Sequence, residues 1–337
     1  MSLVSNSRIK EIVGQFSSQL PPLVVGDLGV DKYTFGIVSR ISPEAPVPVL
    51  EVQKEWPVLG LAGNVAHNLK TLGAKGLLCG VTGDDRQADI LEEMLKKLGL
   101  STTAILRDGK RSTTFKERVT TATQQICRID YETSAPIDLE LEDRILAKVN
   151  TQMHKHGCLI IQDYGKGGIT RRLSRELIRL YRLSGKKVFV DPSRWTPALD
   201  YKGADYIKPN WEEAKILCQS LGLSENLKPE IMAPFLLDKL DLQGVIITLG
   251  GDGMALYTKD SLKFTRIPTL AQEVFDVSGA GDTVISAFAL ALQSGATFEE
   301  AAWVSNCAAG VVVAKKGTAT VKVEEIINYH LKSLGAL

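Results

Sequence analysis

A chain of 337 residues with 44% hydrophobic and 23% charged content has the make-up of a soluble globule, long enough for one large α/β domain with a small appendage. Forty basic residues against thirty-nine acidic ones leave a net charge of +1, which argues against a nucleic-acid-tracking surface. No run approaches the ~18 apolar residues of a membrane span, and the first twenty residues lack a secretory apolar stretch, so a cytoplasmic protein without membrane or nucleic-acid partners is expected.

In chain order, Ile9, Ile12, Val13, Phe16 and Leu20 recur at helical spacing and predict a surface helix packed on the body. Short apolar, β-branched runs then predict strands at 23–25, 77–81, 159–162, 188–191 and 245–249. Helical patterns fall between them, near 63–73, 85–98, 139–155, 170–184, 211–219 and 229–240, and again at 279–294, 298–315 and 323–334. Strand-then-helix alternation is the mark of a mostly parallel sheet with helices on both faces. Residues 33–52, with a Pro-punctuated strand, and 102–130, with consecutive strand-like pieces, break the pattern and predict a small β-lid. The expectation is one domain over 1–337, carrying that lid.

The cysteines (79, 127, 158, 218, 307) have no Cys-x-x-Cys spacing and lie mostly in apolar runs, which predicts buried free thiols. No histidine falls at metal-ligand spacing, and His154 and His156, flanking Lys155, read as solvated.

Four runs carry chemistry. Asp276-Val277-Ser278-Gly279-Ala280-Gly281-Asp282-Thr283 places three small residues and an acid at the start of a helix. Such a turn aims successive N–H groups at one point, an anion nest, and sets Asp282 beside any bound phosphoryl group as a proton acceptor. Alone, the run equally suits a helix-capping aspartate. Val245 to Gly253, with Thr248, Gly250, Gly251 and Gly253, is a buried strand ending in a glycine-rich turn, a common ligand position in α/β sheets and equally a plain hairpin. Lys208-Pro209-Asn210-Trp211-Glu212-Glu213 precedes a helix, where carboxylates either complement the helix dipole or organise Mg²⁺. Near the start, Asp31 follows an expected strand end, and Asn64, after Gly60, reads as an N-cap or as a sugar-hydroxyl partner. No Walker A loop or Rossmann fingerprint is present.

In this order the runs resemble those of the ribokinase-like (PfkB) kinases of sugars and nucleosides, over residues 22 to about 322. A narrower resemblance, to the D-glycero-β-D-manno-heptose-7-phosphate kinases, rests on Ser39 to Val49, Asp163-Tyr164-Gly165-Lys166-Gly167, Ala271 to Asp276 and Asn306 to Val313. Such enzymes phosphorylate the anomeric hydroxyl of a heptose 7-phosphate on the way to ADP-heptose. The adenylyltransferase domain to which many of them are fused is not part of this sequence.

The resemblance implies a three-layer ribokinase-like fold, ATP and Mg²⁺ with room for a monovalent cation, a sugar phosphate as substrate, and a homodimer. It makes Asp282 the base and the backbone of Gly279, Ala280 and Gly281 the anion hole. Asn210, Trp211, Glu212, Glu213, Thr248, Gly250, Gly251, Gly253 and Asn306 become nucleotide-side residues, with Glu213 holding Mg²⁺ through water. Asp31, Gly60, Asn64, Lys116, Arg118, Asp163 and Lys166 become sugar-side residues. Lys116 and Arg118 alternate along one expected strand and so face one side, where a dianion would need charge-assisted donors. The chain departs from the family pattern at Leu61, where a second glycine is usual, at Ser193 in place of the Lys of Asp-Pro-Lys, and at Lys208 in place of the Thr of Thr-Pro-Asn. Other PfkB-type sugar or nucleoside kinases and a non-catalytic sugar-phosphate sensor are the competing expectations.

Overall fold

Alternating apolar residues within single strands decide how the chain layers. In the computed structural model, which describes residues 4–271 and 274–333, Val24, Ile160, Phe189 and Ile246 face one core. Their neighbours Val25, Ile161, Val190 and Ile247 face a second core on the other side of the sheet.

The strands are β1 (Leu23–Gly26), β2 (Leu28–Ile41), β3 (Pro48–Leu61), β4 (Leu77–Gly83), β5 (Ile105–Asp108), β6 (Thr114–Thr120), β7 (Gln125–Tyr131), β8 (Cys158–Gln162), β9 (Lys187–Asp191), β10 (Tyr206–Ile207), β11 (Gly244–Thr248), β12 (Met254–Thr258) and β13 (Phe264–Ile267). The helices are α1 (Asn6–Gly14), α2 (Ala62–Thr71), α3 (Arg86–Lys97), α4 (Leu139–Gln152), α5 (Arg171–Leu183), α6 (Trp211–Ser220), α7 (Pro229–Leu240), α8 (Ala280–Gln293), α9 (Phe298–Val313) and α10 (Val323–Ser333). A nine-stranded sheet runs β13-β12-β11-β10-β9-β8-β1-β4-β5. It is parallel from β11 to β5 and antiparallel at its β12 and β13 edge. Helices α1, α2, α3, α8, α9 and α10 supply the first core and α4 to α7 the second. Helix starts are fixed by side chains: Asp85, Asp138 and Thr170 cap α3, α4 and α5, and capping boxes open α6 and α9.

A separate four-stranded sheet, β3-β2-β6-β7, forms the lid. The prolines of β3 sit on its outer strand, as their missing N–H groups require. Tyr33 ties the lid to the body: its hydroxyl accepts from the Thr318 N–H at 3.0 Å, and its ring stacks on Trp56.

The expected strands and helices are present, with four corrections and one position, 334, outside the described residues. The lid is larger than 33–52 and draws little from 102–113, because β5 pairs with β4 and extends the main sheet. The first helix ends at Gly14; Phe16 is buried on a following 3₁₀ turn, and Leu20 is exposed. The helix expected over 139–155 stops at Gln152 and continues as a 3₁₀ turn. His156 is buried against the Pro21 carbonyl at 3.1 Å, and only His154 is solvated. Four of the cysteines are buried, and Cys127 on β7 is exposed.

Candidate active site

At the carboxyl ends of neighbouring parallel strands the apolar pattern gives way to polar residues. Asp27 follows β1, Gln162 ends β8 and Asp163 follows it, Asp191 ends β9, Lys208 follows β10 and Thr248 ends β11. Open α/β sheets hold ligands at this edge. Here it floors a cleft of about 850 Å³, whose lining includes Asp191, Lys208, Asn210, Glu213, Thr248 and Gly281. A second cavity of about 150 Å³ lies between the lid and α2, lined by Asp31, Gly60, Asn64, Lys116, Arg118 and Asp282 among others.

Asp282 lines the smaller cavity, and its neighbour Gly281 lines the larger cleft. Gly279 (φ 80°) turns the chain into α8, and a Cβ there would lie 2.6 Å from Nδ2 of Asn64. Asp282 is 3% exposed and accepts hydrogen bonds from Tyr164 Oη at 2.6 Å, Asn64 Nδ2 at 2.8 Å and Gln162 Nε2 at 3.2 Å. Burial pushes its carboxyl pKa up to about 7, with the Asp191 charge adding to the rise and the Tyr164 and Asn64 donors and Lys208 opposing it. A carboxyl poised near neutrality is suited to taking a proton at cellular pH.

The residues holding Asp282 are themselves held. Asn68 donates to Asn64 Oδ1 and receives the Thr283 hydroxyl at 3.0 Å. The loop carrying Tyr164 is pinned by Asp27, whose carboxylate accepts the N–H groups of Tyr164, Lys166 and Gly168 at 2.8, 3.0 and 2.8 Å. In the cleft, buried Lys208 pairs with Asp191 at 2.9 Å. Glu213 reaches back to the Asn210 N–H, and its carboxyl is pushed up by burial and by Asp191.

The expected sugar-side residues divide. Asp31 lies inside β2, not beyond a strand end. Asn64 is inside α2, not its cap, and points at Asp282. Lys116 and Arg118 do share a face of β6 and line the small cavity, with Arg118 Nη1 3.2 Å from Asp31 Oδ2. Gly60 leaves room for Asp31, whose carboxyl carbon would be 3.2 Å from a Cβ there. Lys166 lies in the larger cleft, paired with Glu132 at 2.6 Å. Asp163 also lines the cleft, but its carboxylate is taken up by the Gly165 N–H and by the Thr196 and Tyr201 hydroxyls. That makes it a brace rather than a free sugar ligand.

On the nucleotide side, Asn210, Trp211, Glu212, Glu213, Thr248 and Gly250 line the cleft, whereas Gly251, Gly253 and Asn306 do not. Gly253 (φ 88°) is demanded by packing, since a Cβ would meet the Ile267 carbonyl oxygen at 2.1 Å. The buried Asn306 amide is bonded to the Pro268 carbonyl. Of the 271–276 segment, Gln272 and Glu273 lie outside the described residues.

Sequence reasoning missed Tyr164, Gln162, Asp191 and Lys208 as site residues. Tyr164 and Lys208 stood inside runs already singled out, 163–167 and 208–213, whereas Gln162 and Asp191 had only their position at a strand's carboxyl end as a signal. Leu61 was flagged only as a lost glycine. It keeps the glycine-like backbone (φ 54°) and lines the small cavity, a strained non-glycine residue at a site.

The chain matches the pfkB family carbohydrate kinase model over residues 36–325. It is 45% identical over 304 residues to the bifunctional protein HldE of Desulfatibacillum aliphaticivorans, covering 90% of this chain and 62% of that protein. To the bifunctional protein HldE of Wolinella succinogenes it is 39% identical over 317 residues, covering 93% and 65%. The chain thus spans less than two thirds of the length of these relatives. Arabidopsis thaliana ribokinase complexed with ribose and ATP superposes with a TM-score of 0.69 at 20% identity, over 92% of this chain and 98% of that one. Escherichia coli phosphofructokinase-2 in complex with substrates and products gives 0.73 at 17% identity, over 93% and 99%. These superpositions define a ribokinase-like α/β fold with an antiparallel lid. The chain belongs to the pfkB family of carbohydrate kinases and is an ATP-dependent sugar kinase.

Proposed function

We propose that the chain transfers the terminal phosphoryl group of ATP to the anomeric hydroxyl of D-glycero-β-D-manno-heptose 7-phosphate, giving the 1,7-bisphosphate used on the way to ADP-heptose and lipopolysaccharide core. The observation that carries the reading is that Asp282 lines the smaller cavity together with Lys116 and Arg118, while the adjoining Gly281 lines the larger cleft. Arg118 Nη1 is buried without an aligned hydrogen-bond acceptor among the described residues, which suits an incoming phosphate oxygen. The segments resembling heptose-phosphate kinases support the same substrate.

In this reading the sugar lies under the lid and ATP along the strand ends. Asp282 takes the hydroxyl proton, and the backbone of Gly279, Ala280 and Gly281 receives the charge on the transferring group. Crowding of Asp191 and Glu213 fits a cation carried in with the triphosphate, Glu213 holding Mg²⁺ through water. When bound, that ion would neutralise phosphate charge. Positioning and exclusion of water are left to the lid and to the braced carboxylate. A homodimer through the lids is part of the proposal, since β3 and β7 are open edges and Ile37, Ile41, Val47, Val52, Ile129 and Tyr131 are exposed.

A second reading is favoured by the pairing of the same cations: Lys116 with Asp130 and Glu132, Lys166 with Glu132, and Arg118 with Asp31. Already neutralised, they would also suit an uncharged sugar or nucleoside. ADP release with Mg-ATP separates the two, comparing D-glycero-β-D-manno-heptose 7-phosphate with ribose, fructose, fructose 6-phosphate and adenosine. Turnover confined to the heptose phosphate supports the first reading; faster turnover of a non-phosphorylated substrate overturns it.

A further inference from the structure

Lys208 is the buried cation nearest the turn at Gly281. Its side chain is 6% exposed and Nζ is 2.9 Å from Asp191 Oδ1. A Cβ placed on Gly281 would lie 3.3 Å from that Nζ and 3.9 Å from Asp191 Oδ2. Lys208, Asp191 and Gly281 all line the larger cleft. An ammonium carries three N–H groups, and Asp191 is its one ion-pair partner among the described residues.

A buried ion pair of this kind is a poor source of stability. Desolvating both charges costs about as much as their attraction returns, and an apolar pair of equal volume commonly does better. Burial, the largest influence on Lys208, works against its charge, yet Asp191, Glu213 and Asp282 together hold its pKa above the ordinary lysine value. The cation is therefore kept charged beside Gly281, where the turn into α8 has no side chain. Gly281 has no side chain to separate Nζ from the anion nest.

We propose that Lys208 is a catalytic residue whose ammonium donates to the non-bridging oxygens of the phosphoryl group during transfer, with Asp191 as its positioning partner. The inference rests on the phosphoryl-transfer reading of the Gly279–Asp282 turn and is independent of which sugar is used. In the step, the bond from the terminal phosphorus of ATP to its bridging oxygen breaks and its electron pair leaves on ADP. The acceptor oxygen bonds to phosphorus, and its proton passes to Asp282. Lys208 keeps its protons and stabilises the equatorial charge.

The test uses the full chain with Mg-ATP and a sugar turned over by the wild type. Lys208→Met is compared with the charge-free pair Asp191→Asn/Lys208→Met, which leaves no unpaired buried charge if the single variant fails to fold. The expected result is a kcat lower by about 10²–10³-fold, the usual effect of losing one such donor. The KM for the sugar, the ADP affinity and the melting temperature of the double variant should stay close to wild type, while tight binding of ADP with aluminium fluoride and sugar is lost. A kcat within threefold of wild type overturns the proposal. So does a fall in kcat matched by equal losses of ADP affinity and melting temperature in both variants, which would make the lysine structural. Asp282→Asn is run alongside: wild-type turnover there removes the reading on which this one rests, whatever the Lys208 variants give.

Discussion

The Tyr164 hydroxyl donates to Asp282 Oδ1 at 2.6 Å, and Tyr164 is one of two residues, with Lys116, that line both cavities. A donor to a carboxylate stabilises its ionised form, so this bond holds the Asp282 pKa below the value burial alone would give. Removing it in Tyr164→Phe should raise that pKa above its present value of about 7. A hydrogen bond to a charged group is worth about 1.5–3 kcal/mol, or roughly one to two pH units. The acid limb of kcat/KM should therefore move to higher pH by about that much, with ATP affinity unchanged. An unmoved limb would show that Asp282 is not the titrating base.

Asp282 should also be a group that activity requires and stability does not. Its folded pKa of about 7 lies above the ordinary 3.8, so the folded chain binds that proton more tightly than the unfolded one. The contribution to stability is full below pH 4 and is lost as pH rises through 7. Asp282→Asn should lower kcat by roughly 10²–10⁴-fold. At pH 8 it should melt at or above the wild-type temperature, with a linkage limit of about 4 kcal/mol. The new amide facing Asn64 reduces that gain. Melting curves at pH 5 and pH 8 check it, and a variant less stable than wild type only at pH 8 contradicts the sign.

The cations under the lid should act on binding. Lys116→Met and Arg118→Met should each raise the KM for a phosphorylated sugar about 10–100-fold, as expected for one lost charge-assisted bond. The kcat at saturation should change little. Equal effects on a sugar lacking the phosphate would assign both residues to Asp31 and the lid itself.

Two glycines of one turn should behave differently. Gly253→Ala forces a Cβ to 2.1 Å from the Ile267 carbonyl oxygen in a backbone with φ 88°, and should cost at least ~2 kcal/mol. Gly251→Ala meets nothing within 4 Å and should stay within about 0.5 kcal/mol of wild type. Denaturant midpoints for the pair decide the matter.

That contrast also marks how far the sequence could be read. Periodicity located the strands and helices because each sheet face has its own core, so alternation inside a strand and the helical stripe agree. Asp282 was legible because its turn is contiguous: three small residues and an acid carry their geometry with them. Tyr164, Gln162 and Asn64 reach Asp282 across 118, 120 and 218 positions, and no local pattern encodes such an approach. Lys208 stood as the first residue of the 208–213 run and as a substitution, without a role, since charge burial depends on Asp191 from the neighbouring strand. Asp163 was legible as an acid in a familiar run, but its hydrogen bonds to Gly165, Thr196 and Tyr201 were not. Leu61 was noticed for what it replaces, but its φ of 54° could be seen only in the folded chain.

Asn64 and Asp282, 218 positions apart, set a clock for biosynthesis. At 5–20 residues per second, roughly 10–40 s separate their emergence from the ribosome. Throughout that interval Val65 and Leu69 of α2, which belong to the core shared with α8, have no α8 to pack against. The growing chain thus carries an uncovered apolar face for most of its synthesis. The last quarter of the sequence supplies both α8, which shares that core, and Asp282, so the covering of α2 and the approach of Asn64 to Asp282 come with the same helix.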